Sequence, residues 1–316
     1  MAILPEFSHT LEVLLKMAPL AFLILLGAVI GRIGRIEREP LVKFLVYGVM
    51  PPAFALNVMI EPIQASFLGV ALIVAMMSCF LALLILRWTR CLGFTDTESR
   101  LLAFSSGTAN TGYFGLSAVV ALVGEQALPS LITVTLAFIF FEGSVGAYIL
   151  ARNQWDRKQA IKQALKLPAI YAIAVGIIVS KIFGGPGIVG LELARTLRGA
   201  YVTLGMVILG MTLSQTLNAT TSRSMALVSV RGRLGIGLFL VKYLVWPLGA
   251  LGMIELDRAR FGLFSEDFRQ VLRIMSVSPI AVNLVLFSNL FGMQSKRLSF
   301  WVLLSVCVSL VALVVL

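Results

Sequence analysis

The chain has 316 residues, of which 59% are hydrophobic and 13% are charged, and its net charge is +11. A soluble domain carries about 25% charged residues, so this composition excludes an ordinary soluble enzyme or binding domain. Apolar stretches recur at the length of about 20 residues that crosses a bilayer as a helix. These stretches are continuous rather than alternating, which favours helices over a β-barrel.

The charged and metal-binding residues narrow the function further. Lys and Arg lie in loops beside apolar stretches, as the positive-inside rule expects, so we predict no nucleic-acid partner. The three cysteines are scattered and His9 is the one histidine, so we predict no metal, no cofactor and no disulfide framework. The first residues lack a basic region before the first apolar stretch, which is unlike a cleaved signal peptide.

Ten apolar segments are predicted, with short connections between them. In chain order they are 11–31, 41–60, 66–86, 101–123, 129–150, 167–183, 197–217, 234–254, 269–291 and 298–316. The loops after the odd-numbered segments carry most of the Lys and Arg, so we place these loops in the cytoplasm and both termini outside. The sequence therefore predicts an all-α, multi-pass protein of a bacterial inner membrane.

Segments 1 and 2 contain glycine and proline at positions that suggest close packing or a kink. Gly27 and Gly31 form a GxxxG pattern, which is typical of close helix contact, and a homodimer face is one interpretation of it. In segment 2, Pro51 and Asn57 are candidates for gating residues that line a cavity. For Asn57, packing between helices is the alternative.

Segment 4 contains the stretch FSSGTANTGYFGL at its centre, and no charge lies between Arg100 and Glu125. Glycine and hydroxyl side chains lower helix propensity, so we predict that the helix breaks in this stretch. The residues that suggest the break are Gly107, Thr108, Asn110, Thr111, Gly112 and Gly115.

Segment 5 carries an acid, Glu142, within its apolar run. A charge in such a position costs about 2.5–3.5 kcal/mol on insertion scales. Two interpretations stay open: a proton or gating site, or a place near the cytoplasmic end or beside Lys or Arg. Lys16 in segment 1 and Lys242 in segment 8 are expected to extend to the membrane interface.

The chain divides into two halves, 1–150 and 167–316, around a basic linker at 151–166. Five crossings in each half give the halves opposite orientations, which is the arithmetic of an inverted repeat. Segment 9, the counterpart of segment 4, contains Pro279, and proline interrupts a helix because it removes a backbone donor. Ser276, Ser278 and Asn283 flank this second predicted break.

Two broken helices that face each other suggest an anion site. The new N-terminus of each half-helix carries partial positive charge and free N–H groups, and Asn110 and Asn283 add amide donors suited to a carboxylate. Small residues that only pack, and a proline that only kinks, are the structural alternative. The candidate substrate-binding residues are Thr108, Asn110, Thr111, Gly112, Ser278, Pro279 and Asn283, and the candidate gating residues are Gly107, Gly115, Ser276, Pro51, Asn57 and Glu142.

The motifs TANTGYFGLS in segment 4 and SPIAVN in segment 9 resemble those of the auxin efflux carrier family, whose plant members are the PIN-FORMED carriers. VYGVMPPAFAL in segment 2, Gly210 to Leu213 in segment 7 and the pair Phe141 and Glu142 extend the resemblance over essentially the whole chain. The sequence departs from the family at Ser117, where many members have proline, and it lacks their long cytoplasmic loop. Small dicarboxylates therefore suit it better than an indole-sized substrate.

The resemblance implies ten helices in two inverted repeats of five, a fold shared with bile acid:sodium symporters. It implies that segments 4 and 9 unwind and cross as an X, where Asn110 and Asn283 hold the carboxylate of the substrate. It also implies that segments 1, 2, 6 and 7 form a scaffold. The remaining segments would then form a transport domain that moves like an elevator.

The predicted function is a secondary transporter of a small organic anion, by efflux or uptake. The partners implied are the substrate and the lipid bilayer. No enzyme is predicted, because the apolar segments contain no paired-acid metal site and no Ser/His/Asp constellation. A sodium-coupled or proton-coupled symporter of the same fold, and a receptor that binds the same ligand without moving it, stay open.

Overall fold

Apolar helices make up almost all of the structure, which is a computed structural model. It describes residues 3–34, 36–60, 65–152, 158–159, 168–219, 232–291, 293 and 296–315, and no strand occurs in this part of the chain. Most of the predicted linker at 151–166 lies outside the described residues. Within them, four helices are long and apolar enough to span a membrane, as a multi-pass membrane protein requires: Glu39–Ile60, Leu68–Cys91, Leu128–Ala151 and Arg233–Phe261.

We number the helices of the described residues in chain order and give one number to helical stretches that follow each other directly or across a short interruption. Several are assembled from α-helical stretches joined by π-helical turns, and α4 and α9 are interrupted. Their bounds are α1, Ile3–Ile33; α2, Arg38–Lys43, Phe44–Val49 and Met50–Ile60; α3, Ala65–Cys91; α4a, Asp96–Ser106; α4b, Thr111–Gly115 and Leu116–Leu122; α5, Leu128–Phe141, Glu142–Gly146 and Ala147–Ala151; α6, Pro168–Phe183; α7, Gly187–Ala219; α8, Arg233–Leu240, Val241–Val245, Trp246–Leu256 and Asp257–Phe261; α9a, Glu266–Ser276; α9b, Asn283–Leu290; and α10, Lys296–Val315.

The helix α7 begins at Gly187, whereas hydropathy predicted a start at residue 197. Its first turns carry the ion pair between Glu192 and Arg195, at 2.7 Å, with both side chains exposed. Charges spaced three apart on one helix face are compatible with a helix that continues beyond its apolar stretch. Arg195, which precedes the predicted segment 197–217, therefore lies in a helix and not in a loop.

The helices α1 and α7 pack closely through glycine. A Cβ at Gly27 would overlap the backbone of Val207, and a Cβ at Gly210 would overlap the backbone of Ile24. Gly31 lies against Met211 and Ser214 of the same helix α7. The predicted close contact is confirmed, but it lies within the chain, so the interpretation of this glycine pair as a homodimer face is wrong.

The helices α2 and α6 pack in a similar way, and α2 also contacts α7. A Cβ at Gly176 on α6 would overlap the carbonyl oxygen of Ala55 on α2. Small residues allow such close approach of helix backbones in membrane proteins. The helices α1, α2, α6 and α7 thus form one contiguous group.

A second group contains α3, α4, α5, α8 and α9, while α10 contacts helices of both groups. In it α3 packs on α4a and α5, α8 packs on α4a and α9a, and α5 packs on α9a. Aromatic rings connect these helices. The ring centres of Phe104 on α4a and Phe141 on α5 are 5.9 Å apart, and those of Phe138 on α5 and Trp246 on α8 are 5.6 Å apart. The core of this group surrounds both interrupted helices.

Lys242 lies inside this second group and is 0% exposed. Its Nζ is 5.6 Å from the centre of the Trp246 ring, and it has no hydrogen-bond partner within the described residues. The expectation that Lys242 extends to the membrane interface is wrong, because α8 continues for several turns on both sides of it. The side chain of Lys16 lies outside the described part.

Basic residues connect three of the loops that were predicted to be cytoplasmic. Arg233, at the start of α8, donates to the carbonyl oxygen of Gly93 after α3, at 3.1 Å. Arg100, near the start of α4a, donates to the carbonyl oxygen of Ile149 near the end of α5, at 2.8 Å. The end of α3, the start of α4a, the end of α5 and the start of α8 therefore lie on one side of the molecule.

Candidate functional site

The interruption of α4 begins where Gly107 meets an aromatic ring. The helix α4a ends at Ser106, whose hydroxyl donates to the carbonyl oxygen of Ala103 at 2.7 Å. A Cβ at Gly107 would overlap the ring of Phe141 on α5. Glycine is therefore required here by close approach, and the residues after it leave the helical path until Thr111.

The interruption of α9 spans residues 277–282, around Pro279. Ser278 lies at the end of α9a, where both its backbone N–H and its hydroxyl donate to the carbonyl oxygen of Met275, at 3.3 and 2.9 Å. The backbone N–H of Ile280 donates to the hydroxyl oxygen of Ser305 on α10, at 3.0 Å. Serine hydroxyls thus satisfy backbone groups that the missing helical turn leaves without partners.

The two interruptions touch each other directly. The backbone N–H of Asn110 donates to the carbonyl oxygen of Pro279 at 3.2 Å. The side-chain oxygen of Asn110 accepts from the backbone N–H of Phe114 at 3.4 Å, and its carbonyl oxygen accepts from Gly115 at 2.8 Å. Asn110 therefore caps the start of α4b and also joins it to the break in α9.

Glu142 of α5 bridges the two interruptions. One carboxylate oxygen accepts from the hydroxyl of Thr108, and the other accepts from the side-chain amide of Asn283 at 2.8 Å. Thr108 and Glu142 are buried, with 0% and 6% exposure. None of the ion pairs among the described residues includes Glu142, so the interpretation that it pairs with Lys or Arg is not borne out in this part of the chain.

A small cavity lies beside this bridge, and we call it the crossover cavity. Its volume is about 20 Å³, which is room for about one water molecule. Among the described residues that line it, Glu142 is the one acid, and none is Lys, Arg or His. The lining consists of Met50, Phe54, Ala109, Asn110, Thr111, Gly112, Thr135, Phe138, Ile139, Glu142, Tyr201, Ala281, Val282 and Asn283.

A second, apolar cavity of about 60 Å³ adjoins the first, and we call it the apolar chamber. The two share Thr111, Gly112 and Tyr201 in their walls. The chamber lies between α2, α4b, α5 and α7, and Arg198 is the charged residue in its described wall. The pair of cavities therefore offers a polar end at the crossover and an apolar end between the two helix groups.

The structure brings most of the predicted site residues together. Thr108 and Asn110 to Gly112 meet Glu142 and Asn283 at the crossover. Gly107, Gly115, Ser276, Ser278 and Pro279 shape the interruptions without lining the crossover cavity. Pro51 does not line the cavity, although the preceding residue, Met50, does. The side chain of Asn57 lies outside the described part.

Sequence reasoning missed the residues that other helices contribute. Tyr201 of α7 and Phe54 of α2 line both cavities, and their rings are 5.8 Å apart. Both lie in predicted apolar segments where an aromatic residue carries no distinguishing signal. Their role depends on which helices surround the crossover, and this is a property of the tertiary packing.

The chain is matched by no protein-family model, and no curated protein matches it.

Proposed function

We propose that the protein is a secondary transporter of a small organic anion, best a carboxylate, held where the interruptions of α4 and α9 meet. The observation that carries this proposal is the contact between Asn110 and Pro279 beside a small polar cavity. Interrupted membrane helices persist only where they line a cavity or are buried in protein. Substrate sites of many transporters are built from such discontinuous helices.

The packing supports an inverted repeat of two five-helix halves. In such a repeat each helix of the first half has a counterpart in the second half: α1 corresponds to α6, and α2 corresponds to α7. The pair α1–α7 therefore corresponds to the pair α6–α2. Both pairs are in contact. Gly27 and Gly176 occupy comparable places, each against the backbone of its partner helix. The interrupted helices α4 and α9 also correspond in the same way.

The two helix groups suggest how alternating access occurs. The group of α1, α2, α6 and α7 is the proposed scaffold, and the group around α4 and α9 is the proposed transport domain that moves past it. The crossover cavity lies where these groups meet. Tyr201 and Phe54 in its wall come from the scaffold, and the polar residues of its wall other than Tyr201 come from the transport domain. This arrangement supports the proposal that the chain is related to the auxin efflux carriers.

A thermal-shift screen tests the anion site. A ligand at 100 times its dissociation constant adds about 2.7 kcal/mol to the free energy of unfolding. The purified protein in mild detergent is tested with monocarboxylates, dicarboxylates, sugars and amines. We expect only one of the two carboxylate classes to increase its stability. The gain should disappear in Asn110→Ala and Asn283→Ala and persist in Gln126→Ala, which removes an exposed amide.

Flux into proteoliposomes separates a transporter from a receptor with the same site. The carboxylate that gives the largest thermal shift should enter vesicles that contain the protein and not vesicles that contain Asn283→Ala. Stabilisation by sugars or amines alone would refute the anion site, and binding without flux would refute transport.

A further inference from the structure

The carboxylate of Glu142 occupies the position in which the proposed substrate anion would find its donors. It accepts from Thr108 and from the amide of Asn283 and lies in the wall of the crossover cavity. Two polar groups at the crossover, Thr108 and Asn283, are therefore already engaged by an acid of the protein itself. A substrate carboxylate that enters the cavity meets Glu142 at close range.

Two carboxylates in one confined site do not both stay ionised. Like charges at close range, away from water, favour a state in which the pair holds one proton. An Arg or Lys could offset the charge instead, but none of the described ion pairs involves Glu142, and the described wall of the crossover cavity contains no Arg or Lys. The described residues also contain no group of three or more His, Cys, Asp or Glu side chains that could hold a metal ion. A proton needs one carboxylate oxygen and no further ligands, so it is the counter-charge that Glu142 alone can hold.

We propose that Glu142 takes up one proton when the carboxylate group of an organic anion enters the crossover cavity, so that the protein carries anion and proton together. This inference rests on the function proposed above. The proton binds a carboxylate oxygen of Glu142 and leaves when the anion leaves, so that no bond other than O–H forms or breaks. For a monoanion the combined step moves no net charge.

Thr108 allows Glu142 to change its charge without losing its hydrogen bonds. A threonine hydroxyl is both donor and acceptor, and it rotates to suit its partner. With Glu142 ionised, Thr108 donates to one carboxylate oxygen. With Glu142 protonated, the new O–H donates to Thr108, and the other oxygen continues to accept from Asn283. Both states therefore satisfy the buried polar groups at the crossover.

The other titratable groups around α5 do not take the place of Glu142. Tyr201 shares the crossover cavity, Arg198 lies in the apolar chamber, and Lys242 lies over Trp246, whose ring packs on Phe138 of the cavity wall. Arg100 donates to the backbone near the end of α5. The remaining titratable residues of α2, α3, α4a, α7, α8 and α9a, where their side chains are described, do not line the crossover cavity.

Infrared difference spectroscopy on the ligand-free protein tests whether Glu142 takes up a proton. A downward pH step should produce carbonyl bands of protonated carboxylic acids, and one component of this signal should be missing in Glu142→Gln. Glu192→Gln, which removes an exposed acid of α7, should retain it. A band of the same size in Glu142→Gln overturns the proposal and leaves the anion site standing.

Calorimetric titration with acetate, succinate and benzoate as probes tests the coupling. In the pH range where Glu142 is ionised in the empty protein, the dissociation constant of a coupled anion should rise about tenfold per pH unit. In Glu142→Gln, which resembles the protonated state, it should be independent of pH. A pH-independent constant in the natural protein overturns the coupling alone. Binding of tetramethylammonium without binding of the three anions overturns both the coupling and the proposed anion site.

Discussion

Gly107 lies where the main chain of α4 passes the ring of Phe141, and no side chain fits between them. We expect Gly107→Ala to lower the free energy of unfolding by about 1–3 kcal/mol, because an extra methyl group in a packed core forces its neighbours to move. Gly252→Ala is the matched control, since a Cβ there meets no atom within 4 Å. Thermal unfolding of both variants in detergent measures the difference.

Phe141 provides a second check on the same contact. In Gly107→Ala combined with Phe141→Leu, the smaller side chain makes room for the methyl group, so part of the lost stability should return. Equal melting temperatures for Gly107→Ala and Gly252→Ala would contradict the contact between α4 and α5.

Lys242 is a buried amino group without a hydrogen-bond partner in the described residues. Burial of a polar group without a partner costs free energy, so Lys242→Met should raise the free energy of unfolding, on the order of 1 kcal/mol. Met has a similar length and keeps the contact with Trp246. Lys181→Met, at an exposed position of α6, is the control and should change the melting temperature little.

Transport by Lys242→Met shows whether this residue has a functional role. A more stable variant that no longer transports would indicate that the protein retains a destabilising residue for function. A less stable variant would mean that Lys242 has partners that the described contacts do not contain.

Capping and charged residues cluster at the start of α4a. The side chain of Thr95 accepts from the backbone N–H of Glu98, and the side chain of Glu98 accepts from the backbone N–H of Thr95. This pair of hydrogen bonds is a capping box. Asp96, in the first turn, pairs with Arg90 and Arg100 at 2.5 Å each. These contacts hold the entrance of α4 against the ends of α3 and α5.

Asp96 makes this cluster sensitive to acid. Burial by itself raises the pKa of Asp96, but the hydrogen bonds and charges of Arg100 and Arg90 outweigh it and lower the pKa below its usual 3.8. A lowered pKa in the folded state stabilises the protein above pH 3.8, and this stabilisation is lost as the pH falls through the folded-state pKa. The effect stays below about 1 kcal/mol, because half of the side chain is exposed to water.

We therefore expect Asp96→Asn to melt at a lower temperature than the natural protein near pH 6, and the difference to shrink below pH 3.8. Asp267→Asn, in the first turn of α9a and outside the described ion pairs, is the control. A difference that stays constant down to the lowest pH would show that the two arginines do not act through the charge of Asp96.

The sequence predicted the helix interruptions better than it predicted the helix ends. Proline and clustered glycines act through local geometry, so the breaks at Gly107 and Pro279 could be read directly from the residues. The capping box at Thr95 and Glu98 was also readable from its spacing. The π-helical turn at Glu142–Gly146 was not, because widening of a helix depends on its neighbours as well as on its own residues.

At the crossover the sequence predicted the amides but not their partners. Asn110 and Asn283 stand out as polar residues in apolar segments, whereas the contact of Asn283 with Glu142 joins residues 141 positions apart. Such a contact follows only from the arrangement of the helices. The same holds for Tyr201, which reaches the cavity because α7 packs beside α4b.

For the whole molecule, helix ends beside three of the loops that were predicted to be cytoplasmic lie together. Arg233 contacts the loop after α3, and Arg100 contacts the end of α5. Helices that alternate in direction across a membrane bring every second loop to the same side, as these contacts do. Which side of the membrane this is follows from the positive-inside rule, and it is a prediction about the molecule as a whole.

The native cysteines allow this orientation to be measured. Cys91 is exposed at the end of α3, beside the loop that we place in the cytoplasm. In a variant with Cys79→Ala and Cys307→Ala, a membrane-impermeant maleimide should label Cys91 in inside-out vesicles and not in intact cells. Adding Glu192→Cys to the same variant places a thiol at an exposed position near the start of α7, which should be labelled in intact cells.

The pair of sites also tests the inverted halves. Cys91 follows the third helix of the first half, and Glu192 precedes the main apolar part of the second helix of the second half. Three predicted crossings, those of α4, α5 and α6, separate these two positions, so the two thiols should face opposite sides of the membrane. Labelling of both positions from the same side would contradict these three crossings, on which the inverted halves depend, whereas labelling of each from the reverse side would overturn only the assignment of cytoplasm and exterior.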